Sequence, residues 1–112
     1  IGANDGTLLK YFKNDGYITI GCEPAKNLIC QLKKNCDIVI DDFWNFENFN
    51  KIYKVKKFKK PKLITAIGMF YDLEDPNSFV SDIVNCLDQD GIWVIQLSYT
   101  PLMIKQLAFD NI

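Results

Sequence analysis

The chain contains no histidine and no arginine; all thirteen basic residues are lysine. The first absence removes the commonest general acid–base residue. The second removes the planar fork that grips phosphate and carboxylate in a bidentate way. Formal net charge is −1, so there is no global pull toward nucleic acid or an anionic membrane surface. No apolar run approaches the ~18 residues of a membrane-spanning helix, and no stretch has the layout of a secretory signal. A cytoplasmic protein is expected. Cys22, Cys30, Cys36 and Cys86 form no C-x-x-C pair and have no metal-ligand spacing. They read as buried, reduced thiols, and no metal site is expected.

What is present is an ordinary globular composition, nearly half apolar and a quarter charged. A chain of 112 residues makes one domain and can bury roughly 65% of its unfolded surface. It lacks an initiator Met and opens inside what should be a first strand, so it reads as a piece of a longer protein: one incomplete domain over 1–112.

Strand and helix patterns alternate along it. Helical spacing covers 5–14, with Leu8, Leu9 and Phe12 on one face and Gly16 as a stop. Residues 17–22 read as a strand, and Pro24 suits the first turn of the next helix. Leu28, Ile29 and Leu32 form that helix's apolar stripe, and residues 37–41 a short buried strand. Phe46, Phe49, Ile52 and Tyr53 have helical spacing within 45–60. Residues 62–68 form another strand. Pro76 opens a helix with stripe Phe79, Ile83 and Leu87, ended by Asp90-Gly91. Residues 92–97 are an apolar strand suited to a sheet covered on both faces. From Pro101 to Ile112 the chain is apolar at helical spacing without an obvious stop. This alternation predicts a doubly wound α/β fold with a mostly parallel sheet, truncated at both ends.

Ligands of such sheets bind beyond the carboxyl ends of the strands. Four tips are legible. The loop Ile1-Gly2-Ala3-Asn4-Asp5-Gly6 precedes an amphipathic helix, where Asp5 and Thr7 can cap free N–H groups and the glycines allow close approach of a ligand. Glu23, with Pro24, follows Gly2 by 21 residues, the spacing and tip position of an acid that grips a ribose diol. Asp41-Asp42-Phe43 offers a carboxylate for an amino group and a ring to cover a base. The tip Gly68 to Asp72 would lie beside the reacting end.

Each has a plainer reading. Glu23 also suits a helix N-terminus, Asp41-Asp42 a turn, and Phe43, Trp44 and Phe46 a core. Asp72, Glu74 and Asp75 also read as loop and helix-start acids, and Cys22 as core filler rather than nucleophile. The lysine run 54–62 reads as a phosphate patch or as a solvated connection. Substituting Glu23 by Ala is expected to weaken ligand binding and spare the fold. Substituting Gly6 by Val is expected to block the ligand with secondary structure kept.

The loop has Asn4 where a G-x-G-x-x-G dinucleotide fingerprint has its middle glycine, and Asp5 would repel a pyrophosphate at the helix N-terminus. S-adenosylmethionine has no phosphate and carries a sulfonium and an ammonium, so an acidic loop suits it better.

IGANDG at 1–6, GCEPA at 21–25, ITAIGMFYDLEDP at 64–76 and DGIWVIQLSY at 90–99 occur in that order. Together they resemble a class I S-adenosylmethionine-dependent methyltransferase, in the branch that includes sugar C-methyltransferases. The resemblance covers nearly the whole chain. It implies that Gly2, Ala3, Asn4, Asp5 and Gly6 form the loop around the methionine moiety. It also implies that Glu23, beside Pro24, holds the ribose hydroxyls, that Asp42 and Phe43 flank adenine, and that Ala66, Ile67 and Gly68 pass the sulfonium.

The implied activity is C-methylation of a small molecule such as a keto-sugar nucleotide, with neither nucleic acid nor membrane as partner. Many relatives have a histidine where Asp72 stands. Ala108 to Ile112 resembles a segment that leads, in this branch, into a His-Glu-His motif. Without that motif the candidate bases are Tyr71, Asp72, Asp75 and Tyr99, and no catalytic residue is assigned. The piece is expected to bind the cofactor, transfer no methyl group, and self-associate weakly around Leu102, Met103, Ile104 and Leu107. A nicotinamide-dependent oxidoreductase and a non-catalytic nucleotide-binding or scaffold domain are the alternatives.

Overall fold

The computed structural model describes residues 1–108, which form a mixed α/β architecture. In chain order the elements are α1 (Thr7–Asn14), β1 (Ile20–Cys22), α2 (Lys26–Asn35), β2 (Ile38–Ile40), α3 (Phe46–Lys56), β3 (Leu63–Ile67), α4 (Pro76–Cys86), β4 (Ile92–Gln96) and α5 (Thr100–Gln106). A 3-10 turn spans Phe70–Asp72.

The strands pair in parallel as two small sheets. β1 lies beside β2, with Ile20 opposite Ile38 and Cys22 opposite Ile40. β3 lies beside β4, with Leu63 opposite Ile92 and Ile67 opposite Gln96. The first residues run between the two pairs. The Ile1 nitrogen donates to the Thr65 carbonyl at 2.8 Å, and the Ala3 N–H donates to the Cys22 carbonyl at 3.0 Å.

Side chains alternate along each strand, and the alternation sorts the helices onto two faces. Ile20, Cys22 and Ile40 point toward Phe49 of α3 and Phe79, Ile83 and Cys86 of α4. Val39 points the other way, toward Leu9 of α1 and Ile29 and Leu32 of α2. Gly21 sits under the same helices: a Cβ there would lie 2.7 Å from Leu32 Cδ1 and 3.0 Å from Leu9 Cδ1.

Local signals set the starts of α3 and α4 and the end of α3. The Asp75 carboxylate accepts from the Ser78 N–H at 3.0 Å, with Pro76 at the first helical position. Asn45 accepts from the Asn48 N–H at 2.7 Å to start α3. Lys57, with φ 51°, ends it.

Several elements differ from the sequence expectation. Pro24 lies outside α2, because Ala25 is the N-cap residue and its N–H goes to Glu23. The strand expected at 17–22 shortens to Ile20–Cys22: the Tyr17 N–H returns to the Phe12 carbonyl, and Tyr17 and Ile18 stay exposed. Asp90-Gly91 does not end α4, which stops at Cys86; the Asp88 N–H then bonds to the Pro61 carbonyl at the entrance to β3. β4 is not covered on both faces, since Ile92 is 63% and Val94 42% exposed. Of the cysteines, Cys30 is exposed and the other three are buried; all four are free. α5 buries no residue completely. Of the closing segment Ala108 to Ile112, residues 109–112 lie outside the described residues.

Among the described residues, no helix is long and apolar enough to cross a membrane.

Candidate functional site

The opening loop holds three left-handed residues: Gly2 at φ 64°, Asn4 at 50° and Gly6 at 81°. Asparagine tolerates this region better than most side chains. Two latches hold the loop in place. The Glu23 carboxylate accepts from the Asn4 N–H and from the Ala25 N–H, each at 2.9 Å. The Asn35 amide donates to the Asp5 carbonyl at 2.7 Å. Glu23 itself is only 6% exposed, and both bonds are partly buried.

Beyond the ends of β1 and β3 lies a cavity of about 630 Å³. Seven of the residues expected there line it: Gly2, Asn4, Glu23, Pro24, Phe43, Ile67 and Gly68. Gly2 combines its positive φ with a close neighbour, since a Cβ would lie 3.3 Å from Met69 Cγ. Phe43 stands at the rim, 72% exposed.

Five expected residues are not on the wall. Ala3 packs with Leu9 and Val39 against the Ile29–Leu32–Cys36 cluster. The Asp5 carboxylate turns to α1, accepting from the Thr7 N–H at 2.9 Å and the Thr7 hydroxyl at 2.8 Å. Those bonds, the backbone one first, hold its pKa below the usual carboxylate value. Gly6 is buried against α2, where a Cβ would lie 2.8 Å from Leu32 Cδ1 and 2.9 Å from Asn35 Cβ. Here the missing Cβ serves packing and φ, where the sequence suggested room for a ligand. Asp42 accepts from the Phe43 N–H at 2.7 Å and the Asn48 amide at 3.1 Å, which orients the Phe43 segment. Ala66 is fully buried beneath the strand tip.

The wall also contains Ile1, Cys22, Trp44, Met69, Asp72, Leu73, Glu74 and Phe79. Met69 and Asp72 were legible as continuations of the tip at Gly68. Phe79 was legible only as the stripe of α4, and nothing in the pattern marked Leu73. The Cys22 thiol donates to the Asp42 carbonyl at 3.2 Å, and burial pushes its pKa up to about 12. It is a neutral packing group. Of the four candidate bases, Asp72 lies on the wall, whereas Asp75 is occupied capping α4. Tyr71 and Tyr99 are largely exposed and lie off it.

The charged side chains on the wall are Glu23, Asp72 and Glu74, with no lysine among them. The lysine run lies elsewhere. Lys54 and Lys56 end α3, Lys60 donates to the Asn85 carbonyl, and Lys62 pairs with Asp88 at 2.7 Å. The cavity can therefore attract a cation, accept hydrogen bonds from neutral donors and cover an apolar ring with Phe43. It has no side-chain cation to offer an anion. No protein-family model matches the chain, and no curated protein matches it.

Proposed function

We propose that the strand-tip cavity binds S-adenosylmethionine and that the chain belongs to a methyltransferase acting on carbon in a small molecule such as a keto-sugar nucleotide. The observation that carries this reading is that every charged side chain on the wall around the latched Glu23 is acidic. Each Glu23 oxygen already accepts one backbone N–H and retains capacity for another bond. A ribose diol supplies two such donors. Glu23, Asp72 and Glu74 together favour a ligand with positive charge and disfavour a pyrophosphate. Phe43 at the rim suits a planar base.

The hydrogen bonds of Ile1 and Ala3 to opposite neighbours support a doubly wound sheet in the order β2, β1, residues 1–3, β3, β4. A ligand at the tips would then sit where the strand order reverses.

When bound, the sulfonium supplies an electrophilic methyl carbon. The chain's contribution is alignment: Glu23 fixes the ribose end, and the Ile67–Gly68 tip borders the reacting end. A carbon beside a carbonyl must first lose a proton to a base, and Asp72 is the candidate on the wall.

Calorimetric titration of the chain with S-adenosylmethionine, its demethylated product and NAD tests the reading. Binding of the first two with none of the dinucleotide is expected. Preference for NAD, or no binding of any of the three, would overturn it.

A further inference from the structure

A second cavity lies at the other end of β2, and it does not depend on the ligand of the strand-tip site. We propose that the outer edge of β2 is a docking groove for an extended acidic peptide segment of another protein. Among the described residues β2 pairs only with β1. Its register directs alternate residues inward: the Ile38 N–H donates to the Thr19 carbonyl at 3.0 Å, and the Ile40 carbonyl accepts from the Glu23 N–H at 3.0 Å. Val39, between them, therefore turns its N–H and C=O toward the open edge. An added strand bonds to such a pair.

Beside that edge is a cavity of about 300 Å³ whose apolar lining residues are Cys36, Ile38, Val39 and Ile52. Lys33 from the last turn of α2 and Lys56 from the last turn of α3 stand at its mouth. Lys13, Lys26, Lys51 and Lys62 each have a carboxylate partner, whereas Lys33 and Lys56 have none among the described residues. Two opposing charges are present. Asp37 also lines the groove, but it is paired with Lys13 at 3.4 Å and accepts from Thr19. The helix C-termini contribute about half a negative charge each. Two full lysine charges exceed that sum, so the mouth keeps a positive excess of roughly one charge. Backbone pairing at Val39, apolar side chains against the apolar lining and a carboxylate at the lysines fit one occupant: a strand alternating acidic and apolar residues.

The test is a titration of the ¹⁵N-labelled chain with a short capped peptide alternating glutamate and valine, followed by amide shifts. Shifts centred on Ile38, Val39 and Ile52 are expected. The double variant Lys33→Glu, Lys56→Glu, checked for folding by circular dichroism, should bind roughly tenfold more weakly or worse, a change of about 1.4 kcal/mol. A peptide methylated on all its backbone nitrogens should lose binding without any change to the protein. The proposal is overturned by an absence of shifts, by shifts centred elsewhere, or by equal binding of a lysine–valine peptide or of the methylated peptide. Concentration-dependent shifts at Val39 without peptide would also overturn it, in favour of a second copy as occupant.

Discussion

Glu23 and Gly6 show how one side chain, or its absence, holds the site together. Glu23 was expected to matter for a ligand and not for the fold. Its two oxygens are the acceptors for Asn4 and Ala25, so the residue also fixes the loop to β1. Glu23→Ala should weaken S-adenosylmethionine binding by roughly 1.5–3 kcal/mol and also cost about 1 kcal/mol of stability, because two partly buried donors lose their acceptor. Calorimetry and urea unfolding measure the two effects separately. Gly6→Val should act on the fold first. It places methyl groups where even a Cβ meets Leu32 and Asn35, at a φ of 81°. Overpacking of about 1–3 kcal/mol adds to a left-handed penalty of about 1–2 kcal/mol. Urea unfolding should show the loss with no ligand present; a parent-like midpoint would refute it.

The thiols differ in the same residue-level way. Burial pushes Cys22 up to about 12 and Cys86 up to about 11, and it also raises Cys36. The thiolate is the reactive form. A disulfide reagent near neutral pH should therefore modify Cys30 rapidly in the native chain and all four cysteines after denaturation.

At the scale of elements, the entrance to the β1–β2 pair is tied by one carboxylate. Asp37 accepts from the Thr19 N–H and hydroxyl, both at 2.9 Å, and pairs with Lys13 of α1 at 3.4 Å. Burial alone would raise its pKa. The Thr19 bonds and Lys13 together outweigh burial and lower it. A carboxylate with a depressed folded pKa binds fewer protons folded than unfolded, so stability rises with pH across that interval. The contribution is present above the unfolded value of about 3.9 and disappears as pH falls through the folded value. Thermal melts between about pH 5 and pH 2 should show a steeper acid loss for the parent than for Asp37→Asn. Equal slopes would mean that this knot does not couple to folding.

At the scale of the molecule, the helices are unevenly distributed. α3 and α4 cover one face of both strand pairs, while α1 and α2 cover only the β1–β2 part of the other. Leu63, Ile67, Ile92 and Val94 remain exposed on β3 and β4, and Leu102, Ile104 and Leu107 at the end of the described chain are exposed too. The radius of gyration is 15.0 Å, against about 13 Å for a compact domain of this length. Parallel strands are usually covered on both faces. The native chain should therefore bind a hydrophobic dye and show concentration-dependent sedimentation. Replacing Ile92 and Val94 with lysine should reduce both, with stability changed by less than about 0.5 kcal/mol per site. Dye binding equal to that of the parent would place the sticky surface elsewhere.

By itself the sequence determined the alternation of strand and helix, the Asp75-Pro76 start of α4, and the tips at Gly2, Glu23, Phe43 and Gly68. These rest on periodicity, capping and turn chemistry, which act over a few neighbouring residues. Tertiary structure decided which tip residues reach the cavity. Ala66 went under the strand tip, Asp42 went to Phe43 and Asn48, and Gly6 went against α2. It also decided that Glu23 latches a loop 19 residues away in sequence and that β4 stays bare on one face. Burial and hydrogen-bond partnership depend on groups distant along the chain, so no window of sequence contains both sides of the contact.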